Sequence, residues 1–400
     1  MNAAFEARLN ADLDALRSAG TYKTLRHLTG PMGAEVHMEE AGDVIVLSSN
    51  NYLGLADHPD VVAAGIAGLR QYGAGTASVR FICGTFDIHR RLEDAVARLV
   101  RTEAALSYVS CWTANEGLIP TIATAGNTII SDELNHASII DGCRLAGAKR
   151  TRYKHGDMAD LERQLQQAEG TAFVITDGVF SMEGSIAKLP EIVALAKRYG
   201  AVTIVDDSHG TGVMGATGRG TIEHFGLEGQ VDIITGTLGK ALGGAAGGFV
   251  AGSRALIDTL VQRSRTQLFS NALPATVAAS ALEAIEILER SPELVEKQRE
   301  NTRYFRAGLT RLGFKPLEGP SAIVPIIVGD TAFAIAMSDR LLKEGVFVTG
   351  FGFPVVPEGT ARVRVQMSSA LTTAELDRAL AAFEKVGTEL GVIGAAAPAR

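Results

Sequence analysis

Short apolar runs alternate with helical segments through the middle of the chain, and this pattern restricts the fold more than any other feature of the sequence. Residues 173–176 and 202–206 resemble buried strands, and residues 158–169 and 190–200 resemble helices. Strands and helices that alternate at this spacing form βαβ units, whose strands run parallel. The sequence therefore predicts an α/β fold with a mainly parallel central sheet that is flanked by helices.

Three strand-like runs, including one at residues 231–235, end in polar residues. In a parallel sheet, the carboxyl ends of the strands form the crevice in which ligands bind. We therefore expect the side chains that come after these runs to face one site. They are Asp177 and Ser181, then Asp206, Asp207, Ser208 and His209, and finally Thr237 and Lys240.

Lys240 lies in a run of glycines, between Gly239 and Gly243. A lysine in such small and apolar surroundings is disposed to lose its proton and act as an amine nucleophile. The alternative interpretation is an ordinary loop lysine after a strand. Asp206 can hold a positively charged ring nitrogen and His209 can reach a ring oxygen, so the set is typical of a pyridoxal phosphate (PLP) site. Asp and Ser also cap helices, but one cap accounts for neither the second acid nor the histidine.

Two motifs resemble those of the α-oxoamine synthases, the fold-type I PLP enzymes that join an amino acid to an acyl-CoA with loss of CoA. The motifs are Asp206-Asp-Ser-His209 and Thr237-Leu-Gly-Lys-Ala-Leu-Gly-Gly244. The similarity runs from about residue 50 to about residue 372. It implies a fold-type I PLP-dependent transferase with an N-terminal arm and a smaller α+β C-terminal domain.

The N-terminal arm is predicted to begin with a helix at residues 4–19, which places Phe5, Leu9, Leu13 and Leu16 on one stripe. In the family, this arm helps to join two subunits, so the resemblance implies a homodimer with active sites at the interface. The predicted organisation is a helical arm at 1–45, a large PLP-binding domain at 46–290, an α+β domain at 291–393 and a disordered tail at 394–400.

The resemblance implies roles for four catalytic residues. Lys240 carries PLP, Asp206 faces the pyridine nitrogen, His209 reaches the ring oxygen, and His136 stacks on the ring. A lone histidine such as His136 is more often a core or surface residue, and the motif match favours the site here.

The phosphate of PLP is expected at a helix start near residues 106–115, where free N–H groups suit an anion. The resemblance places it on the backbone of Cys111 and Trp112, and it brings Phe269 and Ser270 from the neighbouring subunit. His89, at the start of another helix, is interpreted as structural. The predicted cofactor-binding residues are Ser110, Cys111, Trp112, His136, Ser181, Asp206, His209, Thr237, Lys240, Phe269 and Ser270.

The substrate carboxylate is expected on Asn50 and Arg364, again by resemblance. The alternative interpretation of Asn50 is an ordinary turn residue, because Ser and Asn make turns readily. Arg364 lies in a strand-like run at residues 361–366, and basic residues that alternate on an edge strand usually face water. Leu371 stands where the family pattern usually has a histidine.

The acyl donor is expected to be acetyl-CoA and the amino acid glycine, which gives 2-amino-3-oxobutanoate in threonine and glycine metabolism. Family members that use succinyl-CoA have Gly-Thr-Arg-Asn in the loop where this chain has Val79 and Phe81. These two residues predict a short, apolar acyl pocket.

A broader synthase for longer acyl-CoA, like the 8-amino-7-oxononanoate or 5-aminolevulinate synthases, is an alternative function that stays open. An aminotransferase and a non-catalytic binding protein are further alternatives, and the intact Lys240 argues against the second.

Composition limits the remaining possibilities. The net charge of −7 and the lack of a long basic run argue against a nucleic-acid surface. No apolar stretch reaches membrane-spanning length, and the first residues lack a signal pattern, so a cytoplasmic enzyme without a membrane partner is expected. Cys83, Cys111 and Cys143 form no Cys-x-x-Cys pair, and no metal site is predicted.

Overall fold

In this computed structural model, the chain forms two compact units. A seven-stranded sheet forms the centre of one of them. One unit runs from Asn50 to Gln298, and the other combines the segment that ends at Ser49 with the segment that begins at Arg299. The structure describes residues 2–394.

The strands are β1 (Glu35–Met38), β2 (Gly42–Val46), β3 (Ala104–Tyr108), β4 (Thr128–Asp132), β5 (Lys149–Tyr153), β6 (Ala172–Asp177), β7 (Val202–Asp206), β8 (Ile233–Thr237), β9 (Gly248–Gly252), β10 (Ile323–Gly329), β11 (Val346–Phe347), β12 (Thr349–Phe351) and β13 (Ala361–Gln366). The helices are α1 (Ala3–Ser18), α2 (Pro59–Tyr72), α3 (Asp87–Val100), α4 (Cys111–Ile122), α5 (Ala137–Leu145), α6 (Met158–Gln166), α7 (Leu189–Tyr199), α8 (Thr221–His224), α9 (Arg254–Arg263), α10 (Arg265–Leu268), α11 (Ala275–Arg290), α12 (Glu293–Leu312), α13 (Thr331–Lys343) and α14 (Thr373–Glu389).

The large sheet has the strand order β3-β9-β8-β7-β6-β4-β5 and is mainly parallel, which confirms the prediction. Strands β5, β4, β6, β7 and β8 pair in parallel, and β9 runs antiparallel to both β8 and β3. Only residues 238–247 separate β8 from β9, and a parallel return needs a crossover of about a dozen residues or more. The short glycine-rich connection therefore turns β9 back along β8.

The core of this unit lies between the sheet and the helices that cover it. On one face, Leu118 and Ile119 of α4 and Ile139 of α5 pack with the strand residues Ile129 and Ile175, all of them buried. These apolar side chains come from strands that are covered on both faces, which is why the strands read as continuous apolar runs. This apolar layer holds α4 and α5 against the sheet.

His89 is structural, as the sequence predicted. It is fully buried on α3, where Nδ1 accepts a hydrogen bond from Phe86 N–H at 2.9 Å and Nε2 lies 2.7 Å from the carbonyl of Leu273. Nε2 therefore carries the proton. Burial lowers the pKa of His89, so the imidazole is held neutral as a link between α3 and the segment before α11.

The second unit contains two three-stranded sheets, β1-β2-β11 and β10-β13-β12. Strand β2 pairs in parallel with β11, so the N-terminal segment shares a core with the C-terminal part of the chain. The predicted boundaries, with a separate arm at 1–45, differ from this division. Pairing between strands so far apart in the chain leaves no local signal in the sequence.

Strand β13 is central in its sheet, between β10 and β12. All six of its residues are buried, including Arg362 and Arg364, which are 4% and 8% exposed. The interpretation of these arginines as water-facing residues of an edge strand is therefore wrong. The strand order depends on two pairings that the sequence pattern does not encode.

Helix α1 matches the predicted N-terminal helix and has no buried residue. Its apolar stripe is 37–45% exposed at Phe5, Leu9, Leu13 and Leu16. At the other end, residues 395–400 of the predicted disordered tail lie outside the described residues. Within residues 2–394, no helix is both long enough and apolar enough to cross a membrane, and no group of three or more potential metal-binding side chains occurs.

Candidate active site

A cavity of about 210 Å³ opens at the carboxyl ends of the central strands. It brings together nine of the predicted cofactor residues, namely Ser110, Cys111, Trp112, His136, Ser181, Asp206, His209, Thr237 and Lys240. Three further residues complete its wall, namely Ser138, Asp177 and Ser208. The strand ends thus converge on one site, as the sequence pattern indicated.

Lys240 reaches the cavity from the turn that joins β8 to β9. Thr237 shapes this turn, because its hydroxyl accepts from Gly239 N–H at 3.1 Å and donates to the carbonyl of Gly247 at 3.2 Å. The Nζ atom of Lys240 lies 2.9 Å from Nε2 of His209. The amine is therefore held beside an imidazole that can exchange a proton with it.

Tyr52 holds the other side of the same imidazole, and sequence reasoning missed it. Its hydroxyl lies 2.8 Å from Nδ1 of His209, and the tyrosine is 1% exposed. The motif that contains Asn50 also contains Tyr52, but nothing in the sequence indicates that this ring meets His209. The contact joins residues that are 157 positions apart.

Asp206 is a buried carboxylate that the site keeps ionised. Burial alone raises its pKa, but hydrogen bonds from Ser208 and Asn115, together with the nearby His136 and Lys240, bring the pKa of Asp206 below its ordinary value. The N–H of Ser208 donates to Oδ1 at 3.0 Å, and Asn115 Nδ2 donates to Oδ2 at 2.7 Å. A carboxylate held in this state can bind a protonated ring nitrogen.

Asp177 behaves differently from Asp206. Burial, reinforced by the charge of Asp206, raises the pKa of Asp177 well above its ordinary value. Its Oδ2 atom accepts a hydrogen bond from the backbone N–H of His136 at 2.8 Å. Asp177 therefore anchors the loop that precedes α5 and so positions the histidine.

His136 stands at the start of α5 and faces Trp112, with ring centroids 5.9 Å apart in an edge-to-face arrangement. Burial lowers the pKa of His136. Its Nδ1 atom lies 2.8 Å from the hydroxyl of Ser138 and accepts from the Ser138 N–H at 3.2 Å. A neutral imidazole can stack flat on an aromatic cofactor ring without the cost of a buried charge.

The N-terminus of α4 forms another wall of the cavity. Ser110 caps the helix by accepting from Thr113 N–H at 3.1 Å. A Cβ atom at Gly248 would overlap the backbone nitrogen of Cys111, so only glycine lets β9 lie this close to the helix start. The first N–H groups of a helix have no carbonyl partner within it and carry a partial positive charge, which suits a phosphate.

These residues fit PLP in their chemistry. The cavity offers the amine of Lys240, the ionised Asp206, the neutral imidazole ring of His136, a row of hydroxyl groups with the imidazole of His209, and a helix N-terminus. Each corresponds to a feature of the cofactor, which has an aldehyde, a ring nitrogen, an aromatic face, a phenolic oxygen and a phosphate. Cys111 contributes its backbone, because burial keeps the pKa of its thiol well above the ordinary value.

Four predicted residues are not among those that line the cavity. Phe269 is 74% exposed and Ser270 is half-buried beside it, which agrees with their assignment to a neighbouring subunit but does not test it. Asn50 is the first residue of the unit that contains the cavity. Arg364 belongs to the other unit, where its guanidinium lies over the ring of Phe351 at 4.6 Å and donates to Gln366 Oε1 at 2.9 Å.

Comparisons with known proteins agree with this site. The model of the family "Aminotransferase class I and II" matches residues 42–383. The chain therefore belongs to this family of PLP enzymes, and within it to the α-oxoamine synthases.

Three relatives illustrate the similarity. An 8-amino-7-oxononanoate synthase of Symbiobacterium thermophilum is 51% identical, over 96% of this chain and 98% of the relative. A 2-amino-3-ketobutyrate coenzyme A ligase of Escherichia coli is 46% identical, over 98% of this chain and 100% of the relative. A lysine-to-alanine variant of a serine palmitoyltransferase from S. paucimobilis, solved with a bound PLP–myriocin aldimine, superposes with a TM-score of 0.93 at 34% identity, over 98% of this chain and 100% of that one.

Proposed function

We propose that this PLP enzyme condenses glycine with acetyl-CoA, releases CoA and forms 2-amino-3-oxobutanoate. The observation that carries the choice of acyl group is the state of Arg80 in the loop at residues 79–84. Its guanidinium makes two hydrogen bonds to Glu93, at 2.7 and 3.2 Å, and a third to Ser107 at 3.0 Å. The Arg80 cation is thus already paired within the unit, which makes it a poor partner for an acyl chain that ends in a carboxylate.

The rest of this loop is apolar and open. Phe81 and Ile82 are 60% and 69% exposed in the single chain, and Val79 precedes Arg80. An apolar surface binds a short hydrocarbon group well, whereas a carboxylate placed there without a partner costs free energy. These properties support acetyl transfer over succinyl transfer.

The proposed roles derive from the chemistry of the site. PLP, when bound, draws electrons from the α-carbon of the amino acid. Lys240 holds the cofactor and then, as a free amine, removes the α-proton, while His209 supports the amine through its 2.9 Å contact. Asp206 keeps the ring nitrogen protonated. Asn50 and Arg364 are assigned to the substrate carboxylate, for which a guanidinium is well suited.

A second cavity supports an acyl-CoA substrate. It has a volume of about 290 Å³ and lies beside β4, β5 and α5, and Arg144, Arg150 and Arg152 line it. All three side chains are exposed. Arg144 is paired with Asp141 at 2.7 Å, so Arg150 and Arg152 are our candidates for the phosphate groups of CoA, which guanidinium groups bind in bidentate fashion.

The proposal includes a cytoplasmic homodimer that places Phe269 and Ser270 of one subunit at the active site of the other. Its support is the apolar surface that the single chain exposes at Phe81, Ile82, Phe269 and along α1. Exposed apolar surface of this kind marks interaction sites.

Free-thiol release tests the proposed reaction. Purified, PLP-loaded enzyme receives glycine and a panel of acetyl-, propionyl-, succinyl- and longer acyl-CoA donors. We expect kcat/KM for acetyl-CoA to exceed that for succinyl-CoA by at least about tenfold, because an unpaired carboxylate in an apolar pocket costs more than about 1.4 kcal/mol. Lys240→Ala should release no thiol, and Lys188→Ala, whose amine donates to the Gly156 carbonyl, should behave like the wild type.

Other outcomes of this panel have definite meanings. A preference for succinyl-CoA would contradict our interpretation of the loop at residues 79–84. Similar rates with all apolar donors would favour a broader synthase, the second candidate, which the 51% identity to an 8-amino-7-oxononanoate synthase supports. Transfer of the amino group to a 2-oxoacid without thiol release would indicate an aminotransferase.

A further inference from the structure

Asn115 joins two groups of the active site through one buried amide. It lies on α4, is 1% exposed, and does not line the cavity itself. Its Nδ2 atom donates to Oδ2 of Asp206 at 2.7 Å and to Oγ of Ser138 at 3.0 Å. One amide nitrogen thus donates hydrogen bonds both to an acid at the end of β7 and to a hydroxyl on α5.

The contacts of Ser138 determine the tautomer of His136. The backbone N–H of Ser138 points at Nδ1 of His136 at 3.2 Å and can only donate, so Nδ1 must be an acceptor. The hydroxyl of Ser138 already accepts from Asn115, so its own hydrogen is available for Nδ1, 2.8 Å away. The proton of the neutral imidazole therefore sits on Nε2.

The contacts of Asp206 determine the orientation of its carboxylate. Oδ2 accepts from Asn115 and lies 3.5 Å from Sγ of Cys111, while Oδ1 accepts from the N–H of Ser208. An amide held by two acceptors on different elements is rigid, and it transmits that rigidity to both partners. Asn115 is the only member of this set that contacts both the acid and the serine behind the histidine.

We propose that Asn115 is a positioning residue that orients the Asp206 carboxylate and, through Ser138, holds the His136 imidazole in the tautomer with its proton on Nε2. The inference rests on the proposed roles of Asp206 and His136 toward PLP. Glutamine, one methylene longer, cannot place its amide at the same point. Aspartate has the right shape, but it carries no N–H and sets a second carboxyl group against Asp206. In Asn115→Asp, one of the two carboxyl groups must therefore take up a proton.

Two variants and one control test this assignment. Asn115→Asp removes the amide that donates to both Asp206 and Ser138, since a carboxyl group carries at most one hydrogen, and Ser138→Ala removes only the branch that leads to His136. The control is Asn301→Asp in the other unit, because Asn301 is also buried, at 2% exposed, and its Nδ2 also donates two hydrogen bonds, to the carbonyls of Ser368 and Leu371. The control therefore matches the loss of buried hydrogen bonds without touching the cavity wall.

The readouts do not depend on turnover. They are the rate of PLP release from the loaded enzyme, the pH titration of its visible absorption band, and the NMR titration of His136 in the cofactor-free protein. The groups that act on this titration are Asp206 and Lys240, and Asp177 bonds to the backbone of His136.

We expect Asn115→Asp to release PLP at least about tenfold faster, since a hydrogen bond to a charged group contributes more than one between neutral groups, and to shift the absorption titration. Ser138→Ala leaves the hydrogen bond from Asn115 to Asp206 in place, so it should shift the titration of His136 more than the absorption titration. Asn301→Asp should lower the melting temperature without changing either titration.

The assignment is overturned if Asn115→Asp and Asn301→Asp lose similar stability while Asn115→Asp retains PLP and both titrations of the wild type. Asn115 would then only pack α4 against the sheet. Because no acyl donor enters these measurements, an error in the proposed acyl specificity leaves their outcome unchanged. Failure of the proposed reaction and failure of the positioning role are therefore separate results.

Discussion

Asp206 and Asp207 are neighbours in the chain, yet the fold gives them opposite properties. Asp206 faces the cavity and is held ionised by hydrogen bonds and nearby positive groups. Asp207, which the sequence pattern also predicted to face the site, points away from the cavity and accepts from the N–H and hydroxyl of Thr221, at 2.8 and 2.7 Å. Burial raises the pKa of Asp207 to about 6, against its ordinary value of 3.8. One acid serves the site, and the other closes the loop that leads to α8.

The raised pKa of Asp207 predicts a pH dependence of stability. Since the folded state binds this proton more tightly than the unfolded state, the contribution is complete below pH 3.8 and is lost as the pH rises through about 6. A rise of roughly two units corresponds to about 3 kcal/mol. Between pH 4 and pH 7, the unfolding free energy of the wild type should therefore fall by about this much more than that of Asp207→Asn.

Denaturant unfolding at the two pH values measures this difference. Asp232→Asn is the control, because Asp232 accepts from the N–H and hydroxyl of Thr203 in the same way but at an exposed position. If wild type and Asp207→Asn keep a constant difference in unfolding free energy across this range, Asp207 does not titrate as described.

The residues that the sequence identified in the site share one property, which is that each comes after a strand or begins a helix. Thr237, Lys240 and Asp206 were identified from runs of apolar residues that stop at polar ones. Tyr52 and Asn115 were missed, because they act through contacts with residues 157 and 91 positions away. Local patterns show where a strand ends, but they do not show which distant residues meet in the fold.

At the scale of elements, the site depends on how closely α4 approaches β9. Ser110 caps α4, and Gly248 on β9 leaves the space that the helix start occupies. The helix is further tied to the sheet by Asn115, so its N-terminus and its second turn serve the same cavity. The position of one helix therefore determines both the proposed phosphate site and the environment of Asp206.

Gly248→Ala should weaken PLP binding more than it weakens the fold. The added methyl group overlaps the backbone nitrogen of Cys111, so the start of α4 must move away from the cavity. We expect the apparent Kd for PLP to rise by at least about tenfold, which corresponds to about 1.4 kcal/mol. Fluorescence titration of the cofactor-free protein measures it, with Gly30→Ala as control because a Cβ there meets no atom within 4 Å. An unchanged Kd would mean that the helix start does not bind the phosphate.

At the scale of the whole molecule, the single chain exposes apolar groups that a stable isolated protein usually covers. Phe269 at 74%, Phe81 at 60% and the stripe of α1 are three such groups. Scattered apolar residues are normal on a surface, but three groups of this size favour a partner. Within the proposal, that partner is a second copy of the chain.

Light scattering should therefore give twice the chain mass of 42.1 kDa. Phe269→Asp should shift the mass toward one chain and release PLP faster, because a carboxylate buried at an apolar interface is costly. Leu145→Asp is the control, since Leu145 is 63% exposed on α5 of the same unit. A wild-type protein that is monomeric and fully loaded with PLP would contradict the shared site.

The sequence by itself determined the class of fold and the cavity residues at the ends of its strands. Apolar runs, turn chemistry and short motifs are local, and each predicts where a strand ends and which side chains stand at that end. Only the tertiary structure decided that the N-terminal segment joins the C-terminal unit, that β13 is a central strand, and that Tyr52 and Asn115 support His209 and Asp206. These outcomes depend on pairings between distant parts of the chain, which form when the chain packs and leave no period or motif in the sequence.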